Sequence, residues 1–196
     1  MRNTIGRPKT FEKDEVLKLA MNHFWEHGYD STSLDDLLKA MNIKKSSFYS
    51  TFKSKKELFS LCLGVYRAEA YKGLSALKDE VGAKNAMLML TDMTIQELKQ
   101  TGKVKGCLLI NSGKECYKKY DDLSIQVQKE FNFMQDLFAS FIKQAQENGD
   151  ISSKKDAKKI SGRYMNALNG LVVSIQAGAS SELIDDLAES LKEMIE

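Results

Sequence analysis

The chain has 196 residues, 42% of them apolar, and a formal net charge of +2. That is room for one helical domain, or for a small domain beside a larger one, and it is too apolar for wholesale disorder. No apolar run approaches the ~20 residues of a membrane span, and so small a net charge does not by itself mark a nucleic-acid binder.

The charge is unevenly placed. Residues 1–55 hold ten Lys and Arg against seven Asp and Glu, an excess of +3, and the remainder stands at −1. The single proline, Pro8, leaves nearly the whole chain free to form long helices. The N-terminus shows no apolar segment of signal-peptide length. Three cysteines, Cys62, Cys107 and Cys116, are an odd number and fit a reduced cytoplasmic compartment better than a disulfide framework.

The chain opens with a basic arm, Arg2, Arg7, Pro8 and Lys9. It reads either as a solvated terminus or as a tail that follows a DNA groove. From about Lys13 to His27 the apolar residues Val16, Leu17, Ala20, Met21, Phe24 and Trp25 predict an amphipathic helix that Gly28 stops. Ser33 predicts an N-cap, with Asp36 as the weaker form of a capping box. Leu34, Leu37, Leu38 and Met41 face the core of this second helix, and Asn42 suits the left-handed residue at its end. The third helix falls within residues 44–56. Phe48 and Phe52, four apart, pin it to a core, and Lys44, Lys45, Ser46, Ser47, Tyr49 and Ser50 remain for phosphates or base edges. Two short helices joined by a tight turn make a helix-turn-helix.

A long helix is predicted from Ser54, boxed with Glu57, towards Lys78. Further helices follow at 84–101, from Cys107 to about Tyr120, at 123–147, from a Ser153/Asp156 cap to about Ala177, and from Ser181 onward. The expectation is an all-α chain of about nine helices. Residues 1–53 form a three-helix DNA-binding domain with its basic arm, and 54–196 form a second helical domain.

Residues 15–58 resemble the DNA-binding region of the TetR family of bacterial transcriptional regulators. Ala20 and Phe24 are followed by Gly28-Tyr29, Thr32-Ser33, Ser47-Phe48-Tyr49, Phe52, Lys55 and Leu58, with the family's spacing kept throughout. Gly6-Arg7-Pro8-Lys9 and Gly106-Cys107-Leu108-Leu109 with Asn111 look like segments of one branch. The resemblance implies that Tyr49 and Lys55 grip phosphates. It implies that Thr51 stands where relatives often have a phosphate-binding histidine, and that Lys45, Ser46, Ser47 and Ser50 face the major groove. Ser33 matches a helix N-terminus aimed at a phosphate. Asn42 replaces the usual turn glycine. The resemblance further implies a ligand-binding and dimerising second domain, with residues 154–195 as the homodimer interface, a small-molecule effector, double-stranded operator DNA as partner, and no cofactor.

Two other chemistries compete. His23-Phe24-Trp25-Glu26-His27 matches H-x-x-E-H, an inverted zinc-peptidase motif, but the chain holds only these two histidines and the segment also serves as the first helix. Neither a metal site nor an enzyme is expected. A helical protein-interaction adaptor is the other alternative. Cys107 and Cys116 read either as small buried hydrophobes or as sensors of oxidants or electrophiles, with Lys105 or Lys114 favouring a thiolate. The expected function is a ligand-responsive regulator, read as a repressor released by a small molecule or a reactive electrophile. No long bidentate base reader stands in the third helix, so the operator sequence is not legible.

Overall fold

The computed structural model describes residues 12–152 and 155–195. Among these residues every regular element is an α-helix, nine in all: α1 Lys13–His27, α2 Leu34–Ala40, α3 Lys45–Phe52, α4 Lys55–Val81, α5 Ala83–Thr101, α6 Leu108–Cys116, α7 Asp121–Glu147, α8 Ala157–Gln176 and α9 Ser181–Glu193. The all-α expectation holds. The chain divides into two compact units that meet inside α4, between Val65 and Tyr66.

The first unit follows the helical period. Val16, Leu17, Ala20, Met21 and Phe24 are buried on α1, Leu37 on α2, and Phe48 and Phe52 on α3. The opening turns of α4 add Leu58, Phe59, Cys62 and Leu63 to the same core. Phe24 meets Phe59 edge-on at 4.8 Å between centroids, and Tyr29 lies 4.8 Å from Phe59. The buried Thr32 hydroxyl donates to the Gly28 carbonyl at 2.6 Å. The Cys62 thiol donates to the Leu17 carbonyl at 3.7 Å, and burial pushes its pKa well up. It is a core residue.

The second unit is organised by α7 and α8, with α6 against α7 and α9 against α8 and α5. Leu123, Val127, Met134, Phe138, Phe141 and Ile142 form the buried stripe of α7. Tyr164 of α8 is fully buried; its hydroxyl donates to the Met87 carbonyl of α5 at 2.5 Å. The loop between α5 and α6 is clasped to α8. Gln176 Nε2 donates to the Val104 carbonyl at 3.2 Å. Gly106 stands at φ +71°, where a Cβ would come within 2.8 Å of Val172 Cγ1. Only glycine fits that approach.

Two helix ends differ from the sequence reading. Helix α6 stops at Cys116 rather than near Tyr120, because Tyr117 is extended and Lys118 takes a left-handed φ of 57°. The amides of Lys119 and Tyr120 then close a turn onto the Cys116 carbonyl. Asp156 stands at the N-cap of α8, its carboxylate accepting from the Lys159 amide at 3.0 Å; Ser153, expected to cap with it, lies outside the described residues.

Candidate nucleic-acid interface

The candidate interface comprises α2, its turn and α3. At the start of α2 the capping box is complete. The Ser33 amide and hydroxyl both donate to Asp36 Oδ2, at 3.0 and 2.5 Å, and the Asp36 amide donates to Ser33 Oγ at 3.2 Å. Those bonds from Ser33 hold the Asp36 carboxyl below its usual range. The cap is therefore intact at neutral pH and weakens as acid protonates Asp36.

The end of α2 is a Schellman turn. The Ile43 amide reaches the Leu38 carbonyl at 3.1 Å and the Asn42 amide reaches Lys39 at 3.1 Å. Asn42 sits at φ 50°, the left-handed conformation the sequence reading assigned to it.

The turn delivers α3 with two unlike faces. Phe48 and Phe52 are 0% exposed. Lys44, Lys45, Ser46, Tyr49 and Ser50 are exposed, and Ser47 and Thr51 are half-buried. Tyr49 is 50% exposed, with its ring edge-on to Phe48 at 5.3 Å. An apolar pair thus fixes a row of hydroxyls and ammoniums towards solvent. Ser50 Oγ donates to the Ser47 carbonyl at 2.9 Å, which commits its proton within the helix.

Lys55 is placed differently from the others. Its ammonium donates to the carbonyls of Tyr29 and Thr32, both at 2.8 Å, and lies 4.3 Å from the Tyr29 ring centroid. It braces the turn between α1 and α2. Arg7 and Lys9 lie outside the described residues.

His23 and His27 have ring centroids 4.4 Å apart, and burial, then the neighbouring His27, lowers the His23 pKa. Among the described residues no three His, Cys, Asp or Glu side chains are grouped to hold a metal. No described helix is long and apolar enough to cross a membrane.

The two candidate sensor cysteines are separated by burial. Cys116 is 0% exposed. Cys107 is half-buried at the N-cap of α6, and Tyr66 of α4 donates its hydroxyl to Cys107 Sγ at 3.5 Å. Burial first, then Cys107, raises the Tyr66 pKa and keeps that proton on the phenol.

Two family models match this chain. "Bacterial regulatory proteins, tetR family" covers residues 16–62, the helix-turn-helix and its flanks. "Tetracyclin repressor-like, C-terminal domain" covers residues 84–191. The chain belongs to the TetR family. Among its relatives, the HTH-type transcriptional repressor ComR of Escherichia coli is 26% identical over 190 residues, 96% of this chain and 90% of ComR. IcaR of Staphylococcus aureus, negative regulator of the biofilm operon icaADBC, is 49% identical over 47 residues, 24% of this chain and 25% of IcaR. Reduced E. coli NemR shares the fold with a TM-score of 0.81 at 19% identity, over 93% of this chain and 96% of NemR. A cysteine-substituted CifR in complex with 26-base-pair operator DNA gives 0.75 at 26% identity, over 95% and 98%. This TetR-family chain is a DNA-binding transcriptional regulator.

Sequence reasoning missed three partners: Tyr66 beside Cys107, Tyr29 beneath Lys55, and a buried acid on α7, Glu130. The last had a signal. Glu130 falls three residues after Val127 and four before Met134, on the apolar stripe of α7.

Proposed function

We propose that this regulator is a homodimeric, cytoplasmic repressor whose two copies of α3 enter successive major grooves of an operator and are released by an effector. The observation that carries the reading is the two-faced α3, with Phe48 and Phe52 buried and Tyr49 with its polar neighbours exposed. Grooves about 34–36 Å apart accept both helices only at one spacing, so a change in spacing costs affinity. In this reading Lys44, Lys45, Ser46, Ser47 and Thr51 meet the groove and its phosphates, and Arg7 and Lys9 add reach from the arm. Ser33 and Lys55 act mainly by setting the geometry of α2 and its approach. Operator-bound CifR supports double-stranded DNA as the partner.

Residues 154–195 supply the dimer face. Val173 and Leu183 are exposed, Gly170 has open space beside it, and Leu187 is half-buried. Small and apolar residues left outward on α8 and α9 suit a second copy of the same pair.

Tyr49→Phe tests the DNA reading. A hydroxyl donating to a phosphate is a charge-assisted bond, so its loss weakens binding about tenfold or more. A mobility shift on the DNA upstream of the protein's own reading frame measures this. Wild-type affinity in the variant would remove Tyr49 from the interface.

Cys107 favours a second route of release, by an electrophile, because it is the only half-buried thiol of the three and carries a phenol donor. Brief treatment of the native protein with N-ethylmaleimide should label Cys107 and spare Cys62 and Cys116. Mass spectrometry of tryptic peptides reads the outcome; prior labelling of Cys116 would reverse the assignment.

A further inference from the structure

Glu130 is 6% exposed, on the buried stripe of α7. A carboxylate in such a place requires a partner. Arg67 of α4 provides one: its Nε lies 3.3 Å from Glu130 Oε2, and its guanidinium carbon lies 5.0 Å from the Phe133 ring centroid. Tyr71, one turn further along α4, stands 6.0 Å from the same ring. The Arg67 side chain is 38% exposed, so it enters this cluster from the solvent side.

The pairing is incomplete. Glu130 Oε2 is buried and accepts no hydrogen bond among the described residues. Guanidinium and carboxylate bind best as a two-pronged fork, and the approach through Nε does not form a hydrogen bond to this oxygen. A buried acceptor is left with capacity for a donor that Arg67 does not supply.

We propose that Glu130, Phe133 and Tyr71 form an effector site for a small organic cation, and that Arg67 holds the place of that cation when none is bound. An ammonium or amidinium ligand donates to Glu130 Oε2 and lies against the two aromatic rings. Arg67 then turns to the solvent on its exposed side. A neutral or anionic ligand that displaced Arg67 would leave Glu130 buried without a counter-charge, so the site selects by charge. Arg67 ties α4 to α7, and α4 continues into the DNA-binding unit. Loss of the tie therefore gives the effector of the proposed repressor a route of action, and the inference rests on that reading.

Benzamidine, a planar amidinium on an aromatic ring, is the probe, and benzamide is its neutral counterpart. Calorimetric titration uses the full-length protein without DNA at pH 8. Benzamidine is expected to bind and benzamide not to bind. Glu130→Gln should weaken benzamidine about tenfold or more, because the bond to a charged acceptor is lost. Arg67→Met, which removes the internal competitor, should tighten it several-fold. A merely structural ion pair predicts a lower melting temperature for Arg67→Met and no gain in affinity. Equal binding of the two probes overturns the proposal, as does no benzamidine binding at millimolar concentration, or an unimproved affinity in Arg67→Met. If Glu130→Gln fails to fold, Arg67→Met with the benzamide control still decides the matter. A mobility shift without cation reports separately on the repressor. Loss of DNA binding there removes that reading, whereas DNA binding without selective benzamidine binding removes only the cation site.

Discussion

Phe48→Ala is expected to abolish operator binding by unfolding α3, the helix proposed to enter the DNA groove. Phe48 is 0% exposed and packs beside Phe52 at 5.8 Å between centroids. Truncating a fully buried phenylalanine costs about 3–5 kcal/mol, the lost transfer energy plus the cavity left behind. A unit of this size has only a few kcal/mol in reserve, so the loss is comparable with its whole stability. Helix α3 has eight residues and cannot persist alone, since isolated helices that short are marginal in water. The second unit has its own core of Phe138, Phe141, Ile142 and Tyr164 and should stay folded. Thermal melting by circular dichroism should therefore show an early partial transition and a late one near that of the wild type. Limited proteolysis should cut first between residues 12 and 65. A single unshifted transition with operator binding retained would contradict the anchoring role of Phe48.

Lys55→Met should produce the second-largest change, and it separates two roles for this side chain. The resemblance puts Lys55 on a phosphate. The structure puts its ammonium on the Tyr29 and Thr32 carbonyls, above the Tyr29 ring. If the brace dominates, methionine leaves two carbonyls without a strong donor and costs the free protein about 2–3 kcal/mol. Its melting temperature then falls before any DNA is added. If Lys55 acts only as a phosphate contact, the free protein melts normally, and the slope of log affinity against log salt falls by about one. Melting without DNA, followed by binding at three salt concentrations, gives the two readings independently. An unchanged melt would return Lys55 to the DNA interface.

The same contrast shows why some of the interface was legible and some was not. Local grammar wrote the frame. The Ser33/Asp36 box, the left-handed Asn42 and the four-residue spacing of Phe48 and Phe52 each involve residues within a turn or two of one another, and all three stand in the structure as the sequence implies. Helical period and cap chemistry are short-range effects, so a single chain displays them openly. The polar face of α3 follows by subtraction once the two phenylalanines are known to point inward. The arm with Arg7 and Lys9 is placed by sequence alone.

Long-range meetings had no such grammar. Lys55 reaches residues 26 and 23 positions earlier. Tyr66 reaches Cys107 across 41 positions, and that contact distinguishes Cys107 from the buried Cys116. The end of α6 at Cys116 is set by the left-handed Lys118, a conformation that lysine does not advertise. Glu130 is an intermediate case. Its place on the apolar stripe of α7 is readable, but its partner is not, because Arg67 looks like any surface arginine on α4.

By itself, then, the sequence determined the class of the protein: an all-α chain of about nine helices, a capped helix-turn-helix and the row of residues it turns outward. Apolar period, cap residues and turn residues act within a few positions, and they specify elements independently of what those elements later touch. Only the tertiary structure decided which charges are spent inside the protein and which remain for a partner. It turned Lys55 into a brace, gave Cys107 a phenol and set a half-paired acid beneath Arg67. Burial and pairing are properties of the packed chain, and the energy of a charge depends on them more than on its neighbours in sequence.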